Sequence, residues 1–557
     1  MTKDHNPRKF APIEPVVFFP SIAIVALAAI AMIAFPAQAA AKVSASYAFI
    51  MKNLSSMFMF FGFFAFATVI VLGFGRYGNT RLGGPDEKPE FSTFSWISML
   101  FCAGIGIGIM IWSVVEPIYY ISNPPMGIKP QSDLAYTWAH MLPLFHWGFS
   151  AWAIYCLPTI PIAYSVYVRR EKIFRISESS RPILGKQADG AVGKFIEIVV
   201  LLGTVGAIGT SLGLAIPLIS RLLSSMFGAP DDLFLKSAVT VILFVLFGGS
   251  VYLGIEKGLK NLTRFNVWGA ILLLFLVLGF GPTGFIFDLL SNSLGLLFNN
   301  FFGLTFQTEP LRLLETPVRE SWPQNWTVFY WAWWVAYAPI TALFVASISR
   351  GRTIKELVLA ECLWGTLGCW IFMAIFGAYS LYAQKSGLVD VVGIQANSGD
   401  PAACLAVMSS LGAHWLIVPL YAIMCFVFLA TTLQAASYSL ANLCVKKGHS
   451  DKQPERWNRM LWASLVAVFG LGILVAGGEK ALKTVQTSTI VGGVIIVPII
   501  LVLVASLFKS LRQDFAGAFP TGGIVAPIFK KEAAPLSLQK NAAAENAEDQ
   551  GKGGGAR

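Results

Sequence analysis

Twelve stretches of the chain are apolar and long enough to cross a bilayer as helices. They fall at about 15–36, 54–75, 94–119, 138–168, 195–222, 235–255, 265–282, 326–348, 357–382, 414–442, 459–477 and 487–508. Bilayer hydrocarbon satisfies no backbone N–H or C=O, so only helices and closed barrels span it, and runs this long exclude barrel strands. Of 557 residues, 55% are hydrophobic and 13% charged, about half the charge of an ordinary soluble domain. The sequence therefore predicts an all-α polytopic membrane protein with 12 transmembrane helices. Residues 1–12 read as an N-terminal segment, 13–508 as one membrane domain and 509–557 as a tail. From Lys530 onward that tail is rich in Ala, Lys and Gly without apolar periodicity, and is expected to be largely disordered.

The formal net charge of +11 is sorted by loop, which is a topology signal rather than a nucleic-acid one. Arg76, Arg81 and Lys88 follow the second stretch, and seven basic residues lie between Arg169 and Lys194. Further clusters are Lys257, Lys260 and Arg264; Arg350, Arg352 and Lys355; and Lys446 to Arg459. The intervening loops are poor, with Lys129 alone near 121–137 and Lys385 alone near 383–413. Both termini are thus expected in the cytoplasm, the chain lying in the cytoplasmic (inner) membrane. The run before Ala37–Ala41 is too long for a signal-peptide core and reads as a retained first helix. Residues 283–306, interrupted by Asp288 and several asparagines, read as an amphipathic helix on the outer surface. A short element is expected within 383–413.

Residues 325–341 read NWTVFYWAWWVAYAPIT, with three tryptophans and two tyrosines in eight positions. On a helix Tyr330, Trp334, Tyr337 and Thr341 share one narrow stripe. Ring faces attract a cation that has no N–H to donate, so the stripe suits a quaternary ammonium or sulfonium compound. Packing in a helix core explains any single Trp equally well. A second aromatic group, Trp147, Trp152 and Tyr155, falls within about 140° of arc on the fourth span.

Two spans read as broken. The third holds Gly104, Gly106 and Gly108 at alternate positions, and the eighth holds Ala338-Pro339 after the stripe. A dinucleotide loop would need a strand before the glycines, whereas close helix packing or freed backbone for a ligand both fit. Interrupted helices in corresponding places point to a transporter binding site at mid-membrane. Spans three and eight cross in opposite directions, as an inverted repeat of helices 3–7 and 8–12 requires, with spans one and two as an accessory prefix.

AGIGIGIMIWSVVEP (103–117), HWGFSAWAIY (146–155), TSLGLAIPL (210–218) and the run through YWAWW and ISRGRT (329–353) closely resemble the betaine/carnitine/choline transporter family. The resemblance implies a leucine-transporter-like 5+5 inverted repeat after two helices, often assembled as a homotrimer. It also implies a substrate box of Trp147, Trp152, Tyr155 and Trp334, with Trp331, Trp333 and Tyr337 along the path and Gly104 and Gly106 as backbone contacts. Glycine-betaine carriers tend to have Trp where this chain has Tyr337, which leaves room for a different betaine. Proton-coupled choline carriers have Asp at the position of Gly108, so proton-coupled choline uptake is an alternative the residue does not favour. The tail differs from the long charged helices of osmosensing members.

The family's sodium site would map onto Cys102, Ile105, Phe428, Thr431 and Thr432, and a second one onto Thr204, where the partner hydroxyl position holds Ile208. Paired threonines also commonly back-bond to the preceding turn. FLATTLQAASY looks closer to sodium-independent carnitine exchangers, in which a basic residue replaces sodium; the aligned residue here is Asn266. Na⁺ is thus the expected coupling ion, with exchange as the alternative. Glu116 before Pro117 is either functional or an outer-end cap, and His146 is expected to pack. Arg350 and Arg352 read as loop organisers. No Walker loop, cysteine metal pairing or nucleophile–base pair is present, so a pump, a zinc site, a cofactor and an enzyme are not expected; the partners are a small onium solute and lipid.

Overall fold

A computed structural model describes residues 12–516 apart from 172, 254, 316–320, 447–453 and 476–478. Each of the twelve apolar stretches falls on helix where it is described, interrupted at Phe35, at Gly106–Ile107 and at Trp147–Gly148. The helices are α1 (Pro15–Ala34), α2 (Pro36–Asn53), α3 (Ser55–Phe74), α4 (Thr93–Ile105), α5 (Gly108–Ser122), α6 (Asp133–His146) and α7 (Phe149–Tyr167). There follow α8 (Ala191–Phe227), α9 (Leu233–Leu253), α10 (Ile255–Phe280), α11 (Thr283–Phe306) and α12 (Phe329–Ser347). Last come α13 (Ile354–Lys385), α14 (Val391–Ser409), α15 (His414–Leu443), α16 (Arg456–Val475) and α17 (Glu479–Asp514). Among the described residues seven helices are long and apolar enough to cross a membrane, or ten if each of three bent pairs is one span.

Several elements depart from the sequence reading. Ala37–Ala41 belongs to α2, which turns 113° from α1 and is started by Pro36, whose missing N–H is harmless at a helix start. The 283–306 helix is present and turns 109° from α10. In the 383–413 segment α14 is bent at Gly399, φ +78°, just before Pro401. Helix α17 continues past residue 508 to Asp514, which accepts hydrogen bonds from Tyr164 (2.8 Å) and Arg169 (3.0 and 2.9 Å). The tail from residue 517 and residues 1–11 lie outside the described residues.

Helix α7 packs along α12, α8 crosses α15 and α17, and these contacts make the core around the aromatic stripe. Two loops at the end of α3 and the start of α13 are laced together. Leu82 N donates to Arg352 O, Gly351 N to Leu82 O, Ile354 N to Thr80 O and Lys355 N to Gly78 O. Gly351 has φ +77°, a conformation that disfavours any residue with a Cβ. Arg350 bonds Glu87, and Arg352 reaches the Phe91 carbonyl at 2.8 Å while lying over the Trp96 ring. The Gly84 amide first, and Arg350 next, hold the Glu87 carboxyl below its ordinary range. Both arginines therefore organise these loops.

Candidate binding site

Only one of the two helices expected to be broken is broken. Between α4 and α5 the chain bends 58° at Gly106, which sits at φ +55°, ψ −145°. A Cβ there would stand 2.7 Å from Thr432 Oγ1, so glycine is required by conformation and by space. Helix α12 runs on through Pro339, preceded by a π-turn over Gln324–Val328. Proline removes one N–H, and a buried transmembrane helix tolerates that loss without opening.

The glycine run brings rings close. A Cβ at Gly104 would lie 3.2 Å from the Trp152 ring and 3.5 Å from Tyr155, and one at Gly108 3.4 Å from Trp147. Trp147 is not on the same helical face as Trp152 and Tyr155, because it lies in the break between α6 and α7. Gly148 there has ψ −147°, and a Cβ would meet the Leu144 carbonyl at 2.5 Å. The break swings the Trp147 ring onto Trp334 edge-to-face, at 4.9 Å and 79°. Tyr155 meets Trp334 edge-on at 5.6 Å and 83°, and Trp333 stacks on it at 5.6 Å and 10°.

These residues enclose a small cavity with Gly104, Ile105, Gly108, Ser211, Leu214 and Tyr337, about 20 Å³ in volume. That is room for about one water. The rings spend their faces and edges on one another. No charged side chain lines it. Tyr337 and Ser211 also line a second cavity of about 40 Å³ with Thr204, Ile208, Thr341 and Thr432. The Tyr337 hydroxyl lies 3.3 Å from Ser211 Oγ and donates to the Ala207 carbonyl, so this side chain is the wall between the two spaces.

Trp152, Trp331 and Gly106 do not line the closed cavity. The Trp152 ring is stacked by Phe101 and pressed onto Gly104 and Gly365, where a Cβ would come within 2.5 Å of it. Trp331 points to the far side of α12, against Phe145, His146 and Gly62.

Glu116 is the anchor of the site rather than an outer-end cap. Its carboxylate is fully buried and accepts from Tyr120 Oη (2.7 Å), Tyr330 Oη (2.7 Å) and Trp147 Nε1 (2.8 Å). His146 Nδ1 stands 3.3 Å from the same carboxylate, and its Nε2 lies 3.1 Å from Thr327 Oγ1. The His146 carbonyl accepts from Trp334 Nε1 at 3.0 Å. Both tryptophans that meet at the cavity are therefore held by their indole N–H groups, which fixes ring orientation. Sequence reasoning singled out Glu116 and Tyr330 without joining them. The i,i+4 relation of Glu116 and Tyr120 was the only local signal, since the other partners come from α6 and α12.

The expected ion ligands are brought together only in part. Thr431 and Thr432 hydroxyls both donate to the Phe428 carbonyl, at 2.8 and 2.9 Å. Thr432 abuts the Gly106 break, and Ile105 lines the aromatic cavity. Asn266 Nδ2 donates to Thr431 Oγ1 at 3.2 Å, while its own Oδ1 is buried without a partner. Thr204 back-bonds to Val200 (2.8 Å) and faces the second cavity instead. Cys102 is a buried free thiol, as are the other six cysteines. Among the described residues no group of three or more His, Cys, Asp or Glu side chains is placed to hold a metal.

Residues 16–516 match the family described as betaine/carnitine/choline transporters. An uncharacterised transporter of Escherichia coli K12 is 35% identical over 81% of this chain and 92% of its own length. A carnitine transporter of Acinetobacter baumannii is 32% identical over 86% of each chain. A probable glycine betaine transporter of Desulfitobacterium hafniense is 32% identical over 89% of this chain and 97% of its own.

Proposed function

Because the chain belongs to the betaine/carnitine/choline transporter family, we propose that it carries a betaine-type zwitterion, with a quaternary ammonium or sulfonium head, across the cytoplasmic membrane. The observation that carries this reading is the convergence of Trp147, Tyr155 and Trp334 on one cavity without a charged lining residue. Such a wall holds a methylated cation through ring quadrupoles and offers little to an ammonium that must donate hydrogen bonds. Carnitine and glycine betaine, the solutes in the names of two relatives, belong to that class. Twelve spans in a 5+5 inverted repeat after two accessory helices, cytoplasmic termini and a homotrimer complete the proposal.

Sodium-coupled symport is the favoured energy source. Thr431, Thr432, the Phe428 carbonyl and the unpartnered Asn266 Oδ1 are hard oxygens gathered beside the helix break. Sodium-independent exchange is the second reading, favoured by the Asn266 N–H already directed at Thr431. Radiotracer uptake of glycine betaine, carnitine and choline into proteoliposomes, with Na⁺ and solute gradients imposed one at a time, tests both. Uptake that follows an inward Na⁺ gradient supports symport. Uptake indifferent to Na⁺ and accelerated by unlabelled internal solute supports exchange, and competition by an uncharged carbon isostere would remove the cation–π account.

A further inference from the structure

Glu361 lies in the π-turn Leu359–Gly365 of α13, one turn before the glycine that the Trp152 ring presses upon. Its side chain is fully buried, and neither carboxylate oxygen has a hydrogen-bond partner. The titratable groups around it are Tyr155 and Cys156 from α7 and Cys362 from its own helix. Helix α4, also packed on this turn, contributes only Cys102 as a titratable residue. Lys355 and Glu356, at the start of α13, are engaged elsewhere, with the Phe74 ring and with Thr353. Among the described residues no cation faces Glu361, so an ionised form would carry the unrelieved desolvation of a charge inside a membrane.

Thr159 supplies the complementary observation. Its hydroxyl faces Glu361 and spends its own hydrogen on the Tyr155 carbonyl at 2.8 Å. Toward Glu361 it has only lone pairs to offer, and a lone pair is satisfied by a carboxyl O–H. Thr159 is one turn from Tyr155, which lines the aromatic cavity, so opening at Tyr155 also disturbs the carboxyl's surroundings.

We infer that Glu361 is a proton-binding site of the transport cycle, neutral while the aromatic cavity is closed and ionised when water reaches it from the cytoplasmic side. On that inward opening the O–H bond breaks and cytoplasmic water takes the proton; on the outward opening the carboxylate regains a proton from external water before the cavity closes around the neutral acid. The inference rests on the transport reading above but concerns the proton, not the identity of the solute.

Infrared difference spectra of the purified full chain test proton occupancy without any solute. Wild type at neutral pH should show the carbonyl stretch of a protonated carboxyl that Glu361→Gln lacks; identical spectra would overturn the inference. In proteoliposomes with the Na⁺ gradient held fixed, so that the proton acts in addition to Na⁺, an inward proton gradient of one pH unit should raise solute accumulation about tenfold per coupled proton. Glu361→Gln, which keeps the shape of the neutral acid, should show a flat pH profile. Wild-type uptake indifferent to the gradient would also overturn it. Thr159→Val keeps the carboxyl but removes its acceptor, so it should shift the carboxyl band even if the Gln variant fails to fold; an unmoved band counts against the pairing. A band present with no uptake of any onium solute would sink the transport reading and leave the proton site standing.

Discussion

The α4–α5 pair and α12 face each other across the aromatic cavity, and their sequences carry similar signs of interruption. One is broken at Gly106 and the other runs straight through Pro339. The difference is one of backbone geometry. Gly106 occupies a φ that other residues adopt only under strain, and the bend it makes is filled by the Thr432 side chain. Pro339 only deletes a hydrogen bond inside a helix whose neighbours hold it. Positive φ changes a path, whereas a missing donor is absorbed.

Gly106→Ala should therefore have the largest effect. Backbone strain of about 1–3 kcal/mol adds to a Cβ that collides with Thr432, and uptake should be lost with a lower melting temperature. An active Gly106→Ala protein would mean that the break is not needed. Trp334→Leu comes next: losing a desolvated cation–π contact of about 2 kcal/mol should weaken apparent solute affinity some thirtyfold, measured by uptake or by tryptophan quenching. Trp152→Leu should weaken it less, because that ring lies behind the closed cavity, and equal losses would place Trp152 in the site after all. Glu116→Gln leaves Trp147 or Tyr330 facing an amide N–H₂, an orphaned donor worth about 1–3 kcal/mol. Affinity should fall about tenfold, without loss of selectivity among betaines. Pro339→Ala should change transport less than about threefold, since the helix is already continuous. A collapse of uptake in that variant would show that α12 bends during the cycle.

The helical architecture was legible because apolar length is a property of one segment, and so was the aromatic stripe. The resemblance picked out Trp147, Tyr155 and Trp334, which the structure brings together, but not that these rings close on one another or that Trp152 lies behind them. Trp147 depends on a break between α6 and α7 that looks like an ordinary helical run until Gly148 is seen to be extended. The Glu116 network joins α5, α6 and α12, and no spacing rule links positions 116, 147 and 330. Glu361 drew no notice because a single acid in an apolar run gives no sign of what faces it. Asn266 was recognised as the aligned position, but its bond to Thr431 is a tertiary fact.

The lacing between the end of α3 and the start of α13 has a mechanical meaning. Four backbone bonds join these loops near the C-terminal end of α12, and a Cβ at Gly62 of α3 would stand 3.1 Å from Trp331 Nε1 near the start of that helix. Helix α3 is thus splinted to α12 at two heights. A splinted pair resists twisting as a unit, which leaves the opposite wall, bent 58° at Gly106, as the side that this lacing does not restrain.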